Sequence, residues 1–513
     1  MSKSTNQIKA GAILSYIQMA LSIIIGLIYT PVMIRLLGKS EYGLYNTVSS
    51  TISMLSILSL GFNSGYIRYY AKYKKNDDQE SINKLNGLFI IIFSIIGVVA
   101  LLCGLFLTFN LNLVFDEGLT TAEYEVARVL MLLLTINLAT SFPFSVFSNI
   151  ISANERFVFL KLLGMLKTVG GPLVTLPLLL MGYKSIAMVA VTLGISLVTD
   201  LIYFIYVKRV LKQKFVFHNF EKGIFKDLFI YISFVAINLI VDQINNNVDK
   251  FLLGRFHGTE VVAVYSVGFA LYNYYKMFST AISGVFTPRI HKIVNATKDN
   301  IDNQIVELSN LFIKVGRIQF LILALILTGI IFFGQPFIHY WAGEGYENAY
   351  FVALLVIIPA TVPFIQNIGI EVQRALNKHQ FRSIAYIIMA FINLGLTIWL
   401  GKEYKEVGAA IGTAISLVLA NGIAMNIYYH KRCNINIIKF WKEILRLSLG
   451  LIIPIGVGIV IYNFINLYSV VNLLLFIGIY TIIYCLSMWF IGMNEYEKNL
   501  IKRFFGKIFH KSK

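Results

Sequence analysis

The chain alternates between long apolar runs and short polar breaks from one end to the other. The runs reach about 20 residues, the length at which a helix crosses a hydrocarbon layer roughly 30 Å thick. The strands of a membrane barrel would instead alternate in segments of about ten residues. Divided at breaks of charge, Gly and Pro, the runs predict fourteen membrane-spanning helices. Their bounds are approximately 10–34, 43–66, 86–109, 127–150, 158–181, 185–206, 228–249, 260–286, 311–338, 347–369, 382–401, 407–429, 443–465 and 469–492.

Composition supports an all-α membrane protein. Of 513 residues, 57% are hydrophobic and only 14% are charged, and the mean hydropathy is +0.72. Soluble domains of this length carry far more charge. The formal net charge is +18, and the basic residues that produce it lie in short clusters between the apolar runs. The anionic headgroups of membrane lipids are therefore the expected partner of these clusters, and a nucleic acid is not.

The distribution of Lys and Arg predicts the orientation. Most of the 44 basic residues fall at the N-terminus, in the connections that follow even-numbered spans and in the C-terminal tail. Basic residues concentrate on the cytoplasmic side of membrane proteins. The pattern predicts a multi-pass protein with both termini in the cytoplasm.

The sequence also repeats itself. Leu36–Gly38 recurs as Leu252–Gly254, and Tyr183–Lys184 recurs as Tyr404–Lys405 after nearly the same length of chain. The agreement of the two spacings indicates that spans 1–6 and 7–12 are copies of one six-helix unit. An even number of spans gives both copies the same orientation, an arrangement typical of transporters that bind substrate between two bundles. Duplicated channels and membrane enzymes also exist.

The repeat predicts four segments. They are an N-terminal six-helix lobe at 1–214, a second lobe at 215–432, helices 13 and 14 at 433–493, and a basic cytoplasmic tail at 494–513.

Two charges lie deep within predicted spans, where a charged side chain costs about 2.5–3.5 kcal/mol on insertion scales. Asp242 interrupts the seventh span and Lys276 lies in the middle of the eighth. Each is a candidate for a polar cavity, although the two can instead form a structural ion pair. Tyr272, Tyr274 and Tyr275 beside Lys276 can stack on sugar rings or simply pack in the core.

Further cations lie near the ends of spans. Arg68 ends the second span, Arg317 begins the ninth and Arg374 follows the tenth, while Lys161 and Lys314 occupy similar positions. An anionic substrate requires such cations in its path. The alternative for each is that its long side chain reaches out to lipid headgroups.

No catalytic, cofactor or metal site is predicted. The seven His residues are scattered, and the sequence has neither a phosphate-binding Gly-rich loop nor an Asp-rich pair of the kind that holds magnesium. Cys103, Cys433 and Cys485 are far apart and have no ligand spacing, so we interpret them as small apolar residues. The pattern favours a transporter over an enzyme.

Several short segments resemble one family. Thr30–Tyr45, with Leu36, Leu37, Gly38, Glu41 and Tyr42, resembles the first-to-second helix signature of Wzx-type polysaccharide flippases in the MOP (MATE-like) superfamily. The segments Asn247–Tyr265 and Gly61–Ala71 resemble the corresponding later junctions. The predicted number of spans, the duplication and the cytoplasmic termini also match this family. The resemblance therefore covers nearly the whole chain.

The resemblance implies two six-helix bundles in a V, with two extra C-terminal helices. It further implies a flippase in the bacterial cytoplasmic membrane that moves an undecaprenyl-diphosphate-linked oligosaccharide to the outer leaflet for O-antigen, capsule or exopolysaccharide synthesis. Alternating access would be coupled to H⁺ or Na⁺, and the polysaccharide polymerase machinery is an implied partner. The alternative is a cation-coupled small-molecule exporter of the MATE type.

The implied site is a cationic cavity lined by Arg68, Lys276, Arg317 and Arg374. Within it, Arg68 and Lys276 would meet the diphosphate. Asp242 would bind the coupling ion or balance charge.

Overall fold

Helices account for all the regular structure that the computed structural model describes, which comprises residues 3–115, 119–220, 228, 232, 236–237, 239–297, 299–378 and 380–509. The predicted all-α class is confirmed for these residues. The principal helices are α1 (Lys3–Leu37), α2 (Lys39–Met54), α3 (Phe62–Lys75), α4 (Gln79–Phe109), α5 (Thr121–Ala153), α6 (Phe157–Leu180), α7 (Lys184–Ile205), α8 (Asp249–His257), α9 (Thr259–Ala296), α10 (Ile301–Ala342), α11 (Asn348–Ile365), α12 (Ile368–Ala375), α13 (Gln380–Leu417), α14 (Met425–Lys431), α15 (Ile437–Ser448), α16 (Ile452–Phe464), α17 (Val470–Ser487) and α18 (Glu495–Phe509).

Ten helical segments of the described chain are long and apolar enough to cross a membrane. One of them, Gln380–Lys431, has 52 residues and covers both the eleventh and the twelfth predicted spans. It contains a break at Tyr404 and Lys405, where the backbone leaves the helical conformation. The second, seventh and eighth predicted spans are not among the ten segments, so the total of fourteen stays a prediction. Parts of the seventh, 228–249, lie outside the described residues.

The predicted second span is two helices rather than one. A short 3₁₀ turn at Leu55–Ser59 follows α2, and Leu60 (φ 44°) and Gly61 (φ 83°) then turn the chain before α3 begins. Two successive residues in the left-handed region cannot continue a right-handed helix. The helical path of the predicted second span is therefore interrupted at Leu60 and Gly61.

Unusual backbone conformations recur along the chain at a nearly constant spacing. Residues with positive φ are paired between the two repeat copies: Gly38 with Gly258, Glu155 with Asn377, Lys184 with Lys405, and Lys212 with Asn434. The Asp78 side chain caps α4, and at the corresponding place in the second copy the Asn300 side chain caps α10 in the same way. A positive φ costs a residue with a side chain about 1–2 kcal/mol, so its recurrence is not a product of composition.

These spacings refine the sequence repeat. The matching turns are those at Gly38 and Gly258, which are 220 residues apart, close to the 221 or 222 residues that separate the other positive-φ pairs. Gly38 and Gly254 are only 216 residues apart. Tyr45 and Tyr265 then stand at equivalent positions, each seven residues after its glycine.

The chain forms two compact units. The first comprises Met1–Ser266 and Ala390–Ala409, and the second comprises Val267–Met389 and Ala410–Lys513. These limits are defined by which residues pack together, whereas the predicted lobes at 1–214 and 215–432 are defined by the sequence repeat. The lobe limits therefore stay a prediction.

The first unit has an aromatic core beside α3. One face of α3 contributes Tyr66, Tyr69, Tyr70 and Tyr73, all buried against Phe89 and Phe93 of α4 and Phe147 of α5. Tyr66 donates a hydrogen bond of 2.6 Å to the Asn86 side chain, which satisfies its buried hydroxyl. The four tyrosines repeat at helical intervals, so the other face of α3 carries the polar residues.

The second unit is organised around α10. Its Gly316 allows the Phe440 ring of α15 to approach the backbone, and Phe332 of α10 packs closely against Gly458 of α16. On α17, Tyr484 donates a hydrogen bond of 2.7 Å to the Leu321 carbonyl of α10. The helices of the predicted 433–493 segment thus pack along α10.

Candidate functional site

Arg68 lies on the exposed face of α3, opposite the tyrosines. Lys72 and Lys75 follow it at four and seven residues and are also exposed. Residues at this spacing occupy one side of a helix. Because the tyrosine face fixes the rotation of α3, the three cations form a single stripe that runs from Arg68 toward the predicted cytoplasmic end.

Lys276 lies on α9 in the second unit and is half-buried. Its neighbour Tyr275 is buried and its hydroxyl lies 2.8 Å from that of Thr361, while Tyr272 stacks on Phe364 at 5.7 Å between ring centroids. These contacts favour core packing for both tyrosines over sugar stacking. Arg68 and Lys276 belong to different units.

Asp242 is exposed, and it is the fourth residue of the continuously described part of the seventh span, which begins at residue 239. A π-helical turn, Ile244–Val248, separates it from Asp249, which is 3% exposed. Seven residues of regular α-helix would place both carboxylates on one face, but a π turn inserts an extra residue and rotates the next part of the helix by about 100°. The predicted Asp242–Lys276 pair joins residues of different units and stays a prediction.

Asp249 is a buried carboxylate that sequence reasoning missed. Its Oδ2 accepts a hydrogen bond of 2.6 Å from Tyr265, and its Oδ1 accepts one of 3.0 Å from Thr397. The Asn393 Oδ1 atom lies 3.5 Å from the Thr397 hydroxyl, and all of these side chains are buried in the first unit. The charge of Asp249 also interacts with that of the adjacent Lys250. A buried carboxylate in such surroundings can hold a proton or a small hard cation.

Asp200 on α7 is a second carboxylate that the sequence did not single out. It is buried, and its charge interacts with that of Lys167 on α6. Both residues lie within predicted spans of the first unit. Within the described residues, no group of three or more His, Cys, Asp and Glu side chains is arranged to hold a metal.

Arg317, predicted to line the cavity, is instead enclosed by carboxylates. Its Nε and Nη2 donate to the two oxygens of Glu497 at 2.6 and 2.9 Å, and Nη1 donates to the Glu443 carboxylate at 3.0 Å. The carbonyl oxygens of Glu443 and Gly492 accept two further bonds at 2.9 and 3.2 Å. These contacts use all five N–H donors of the guanidinium, so none is left for a diphosphate.

Arg374 is exposed and close to a carboxylate of its own helix. Its Nη1 lies 2.6 Å from Glu371, one turn earlier on α12. Exposed pairs of this kind separate at little cost, typically about 0–1 kcal/mol. Arg374 can therefore exchange Glu371 for another anion, unlike Arg317.

Comparisons with known proteins fit this architecture. Residues 8–294 match a family described as polysaccharide biosynthesis protein. A Shigella flexneri protein described as a candidate O-antigen transporter is 21% identical over 409 residues, which are 78% of this chain and 92% of that protein.

Two solved structures have a similar fold. The lipid II flippase MurJ, in an inward closed conformation, has a TM-score of 0.72 and 17% identity, covering 95% of this chain and all of that one. An inward-facing multidrug resistance transporter of the MATE family, in the MOP superfamily, has a TM-score of 0.61 and 14% identity, covering 84% of this chain and 99% of that one. At these identities the likeness establishes the fold.

Proposed function

Because the chain belongs to the polysaccharide biosynthesis protein family, we propose that it is a flippase for lipid-linked oligosaccharides. The substrate is an undecaprenyl-diphosphate-linked repeat unit, which moves from the cytoplasmic to the outer leaflet of a bacterial cytoplasmic membrane. The polymer built from it is an O-antigen, a capsule or an exopolysaccharide, and the polymerase machinery receives it. The observation that carries the proposal is the family match over more than half of the chain.

The cationic stripe on α3 supports an anionic substrate. Arg68, Lys72 and Lys75 present three positive charges along one helix face, and the innermost of them is a guanidinium. Arg binds phosphate oxygens through two parallel N–H donors, which makes it suited to a diphosphate. We assign contact with the diphosphate headgroup to Arg68 and Lys276. Arg374 is a secondary contact because it also pairs with Glu371. Arg317 is left out because its N–H donors are all occupied.

Coupling to an ion gradient is assigned to Asp249. The two hydrogen bonds to Tyr265 and Thr397 hold a buried carboxylate ready for H⁺ or Na⁺. Taking up a cation neutralises a charge that is expensive to bury, and releasing it restores that charge. Asp242, which is exposed, balances charge near the substrate.

The alternative is a cation-coupled exporter of small molecules. The MATE-family neighbour is described as a multidrug resistance transporter. The exposed cations of α3 would repel a positively charged drug and attract an anionic headgroup. This difference separates the two functions experimentally.

The first experiment measures lipid-linked oligosaccharide in a deletion strain. The proposed function predicts its accumulation in the cytoplasmic leaflet and loss of the surface polymer, with both defects reversed by the intact gene. Normal polymer together with increased sensitivity to cationic drugs would support the exporter.

Complementation with single variants tests the residues. Arg68→Ala and Lys276→Ala are expected to reduce polymer at normal protein level, and Arg68→Lys to retain part of it. Arg128→Gln, at a half-buried residue on the predicted outer side that pairs with Glu125, is the charge control. If all three site variants make normal amounts of polymer, Arg68 and Lys276 do not bind the headgroup.

Asp249→Asn tests coupling. In inverted vesicles with an imposed H⁺ or Na⁺ gradient, this variant should flip substrate at a rate independent of the gradient. Asp302→Asn, at the exposed start of α10, is the control. A gradient response equal to that of the unmodified protein would show that Asp249 has no part in coupling.

A further inference from the structure

The helix α15 has one buried face and one exposed face. Phe440 and Leu447 are completely buried, and the Phe440 ring lies against Gly316 of α10. The Trp441 indole donates a hydrogen bond of 2.9 Å to the Asn426 side chain. These contacts fix the rotation of α15 about its own axis, so the residues of the opposite face point away from the protein.

Three cations form a stripe on that exposed face. Lys442 and Arg446 follow Lys439 at three and seven residues, and all three side chains are exposed. Residues at this spacing lie on one side of a helix. Exposed apolar residues border the stripe, with Leu445 67% and Leu449 52% accessible. The exposed face of α15 therefore carries cations beside alkyl side chains.

The carboxylate nearest to this stripe in sequence is held elsewhere. Glu443 is the only acidic residue in the sequence of α15, and it is one turn from both Lys439 and Arg446. Its carboxylate instead accepts a hydrogen bond of 3.0 Å from Nη1 of the buried Arg317. Among the described residues, no carboxylate forms an ion pair with Lys439, Lys442 or Arg446. The stripe therefore keeps its full positive charge.

The stripe lies at one end of an apolar segment that can cross a membrane. This segment, Ile437–Phe464, has 28 residues. At 1.5 Å per residue it is about 42 Å long, whereas the hydrocarbon layer is roughly 30 Å thick. The stripe ends about 14 Å from its start, and residues 447–464 carry no charge. We therefore expect the cations in the headgroup layer on the predicted cytoplasmic side and the uncharged remainder in hydrocarbon.

A phospholipid with an anionic headgroup matches both parts of this surface. Its phosphate oxygens accept hydrogen bonds from Lys and Arg, and the Arg446 guanidinium can donate two parallel N–H groups to one phosphate. Its acyl chains lie at the depth of Leu449 and the residues that follow, where the exposed face is apolar. A free phosphate ion would use the cations alone and gain nothing from the apolar residues beside them.

We propose that the stripe of Lys439, Lys442 and Arg446 is a binding site for an anionic phospholipid of the cytoplasmic leaflet. This lipid stays with the protein and is not the lipid-linked oligosaccharide that is transported. Its phosphate neutralises three neighbouring cations that otherwise repel one another. The inference does not rest on the proposed function, because the stripe lies outside both predicted repeat copies.

The fluorescence of Trp441 reports on the site, because this residue lies between Lys439 and Lys442 in the chain. The full-length protein, with its other Trp residues replaced by Phe, is reconstituted in phosphatidylcholine vesicles. The probes are phosphatidylglycerol and phosphatidylcholine with bromine, a quencher, on the acyl carbons nearest the headgroup. Phosphatidylglycerol should quench Trp441 at a much smaller fraction of the total lipid than phosphatidylcholine does.

A triple variant, Lys439→Gln with Lys442→Gln and Arg446→Gln, tests the stripe. Its affinity for phosphatidylglycerol relative to phosphatidylcholine should fall roughly a hundredfold, because each cation near an anionic surface contributes about fivefold. A second variant, Lys439→Arg with Lys442→Arg, keeps the charge and should keep the preference. Thermal unfolding confirms that each protein is folded.

The matched control removes three exposed cations from the connection after the sixth predicted span, on the same predicted side of the membrane. The substitutions are Lys208→Gln, Arg209→Gln and Lys214→Gln. This control changes the net charge by the same amount as the stripe variant does. It should leave the preference of Trp441 quenching for phosphatidylglycerol unchanged.

The other outcomes overturn the proposal. An unchanged preference in the stripe variant excludes a lipid site on α15, and an equal loss in the control shows a response to net charge alone. If inorganic phosphate displaces phosphatidylglycerol and chloride of equal ionic strength does not, the cations bind free anions. If undecaprenyl diphosphate displaces it at equal concentration, the stripe belongs to the substrate path. A deletion strain that accumulates no lipid-linked oligosaccharide refutes the proposed function and leaves this site intact.

Discussion

The Nε atom of Arg317 donates to Oε1 of Glu497 at 2.6 Å, and both side chains are almost entirely buried. Glu497 also accepts from the backbone N–H of Asn494, so the same carboxylate caps the start of α18. One ion pair thereby joins α10 to the C-terminal helix, 180 residues later in the chain. Burying two charges is compensated only if every donor and acceptor is satisfied, as it is here.

Arg317→Ala is expected to lower the free energy of unfolding by about 3–5 kcal/mol, because it leaves Glu497 buried without its partner. The measurement is thermal unfolding in detergent, alongside polymer formation per molecule of folded protein. Arg374→Ala, which removes an exposed pair with Glu371, should change stability by about 0–1 kcal/mol. If the Arg317→Ala protein is fully stable but no longer flips substrate, Arg317 binds substrate after all.

Gly458→Ala should weaken the packing of α16 on α10, because the added methyl group meets the Phe332 ring. Overpacking of this kind typically costs about 1–3 kcal/mol. Gly456→Ala, two residues earlier on the same helix and facing open space, should cost nothing. Thermal unfolding of the two variants compares them directly, and equal stability would contradict the close approach at Gly458.

Lys212→Asn should stabilise the protein. Lys212 has a φ of 49°, and the equivalent residue of the second repeat copy, Asn434, has a φ of 54°. Asn tolerates the left-handed region better than Lys, so the gain is of order 0.5–1 kcal/mol. Lys214→Asn, at an exposed residue two positions later, is the control. If both substitutions change stability equally, the positive φ of Lys212 is not the cause.

Cys433 should react slowly with maleimides. It lies between spans, and burial raises the pKa of its thiol to about 11 against a smaller opposing effect of Lys378. The reactive thiolate is then scarce at neutral pH. With Cys103 and Cys485 replaced by Ser, labelling of Cys433 should be roughly a hundredfold slower than that of an exposed cysteine introduced by Lys431→Cys. Comparable rates would show that the Cys433 environment is open.

The helices themselves were predictable because an apolar run of about 20 residues has few alternatives to a spanning helix. The break between the eleventh and twelfth spans was placed between 401 and 407, and the structure has it at Tyr404 and Lys405. The interruption of the second span at Leu60 and Gly61 was not predicted, since a single Gly between Leu60 and Phe62 is common within membrane helices.

The site was predicted less well, and for physical reasons. Counting charges within a span does not reveal which face they occupy, and the π turn at Ile244–Val248 decides that Asp249 rather than Asp242 is buried. The sequence predicts Arg317 to line the cavity because its partners, Glu443 and Glu497, are 126 and 180 residues away in the chain. No local pattern records pairs at such separations. The sequence predicts Arg68 only as a cation at the end of a span, and its place on the face opposite the tyrosines of α3 is a finding of the structure.

The interruption between α2 and α3 also fixes how the two helices are turned about their axes. Within hydrocarbon, each backbone group without a partner costs several kcal/mol. Gly61 is buried, and its carbonyl accepts from Ser64, while the Leu60 N–H donates to Ile57. Both groups are thus satisfied within the chain, and Leu60 and Phe62 pack against the aromatic core of the first unit. This packing fixes the orientation of the corner, so the Arg68 stripe keeps one direction relative to that core.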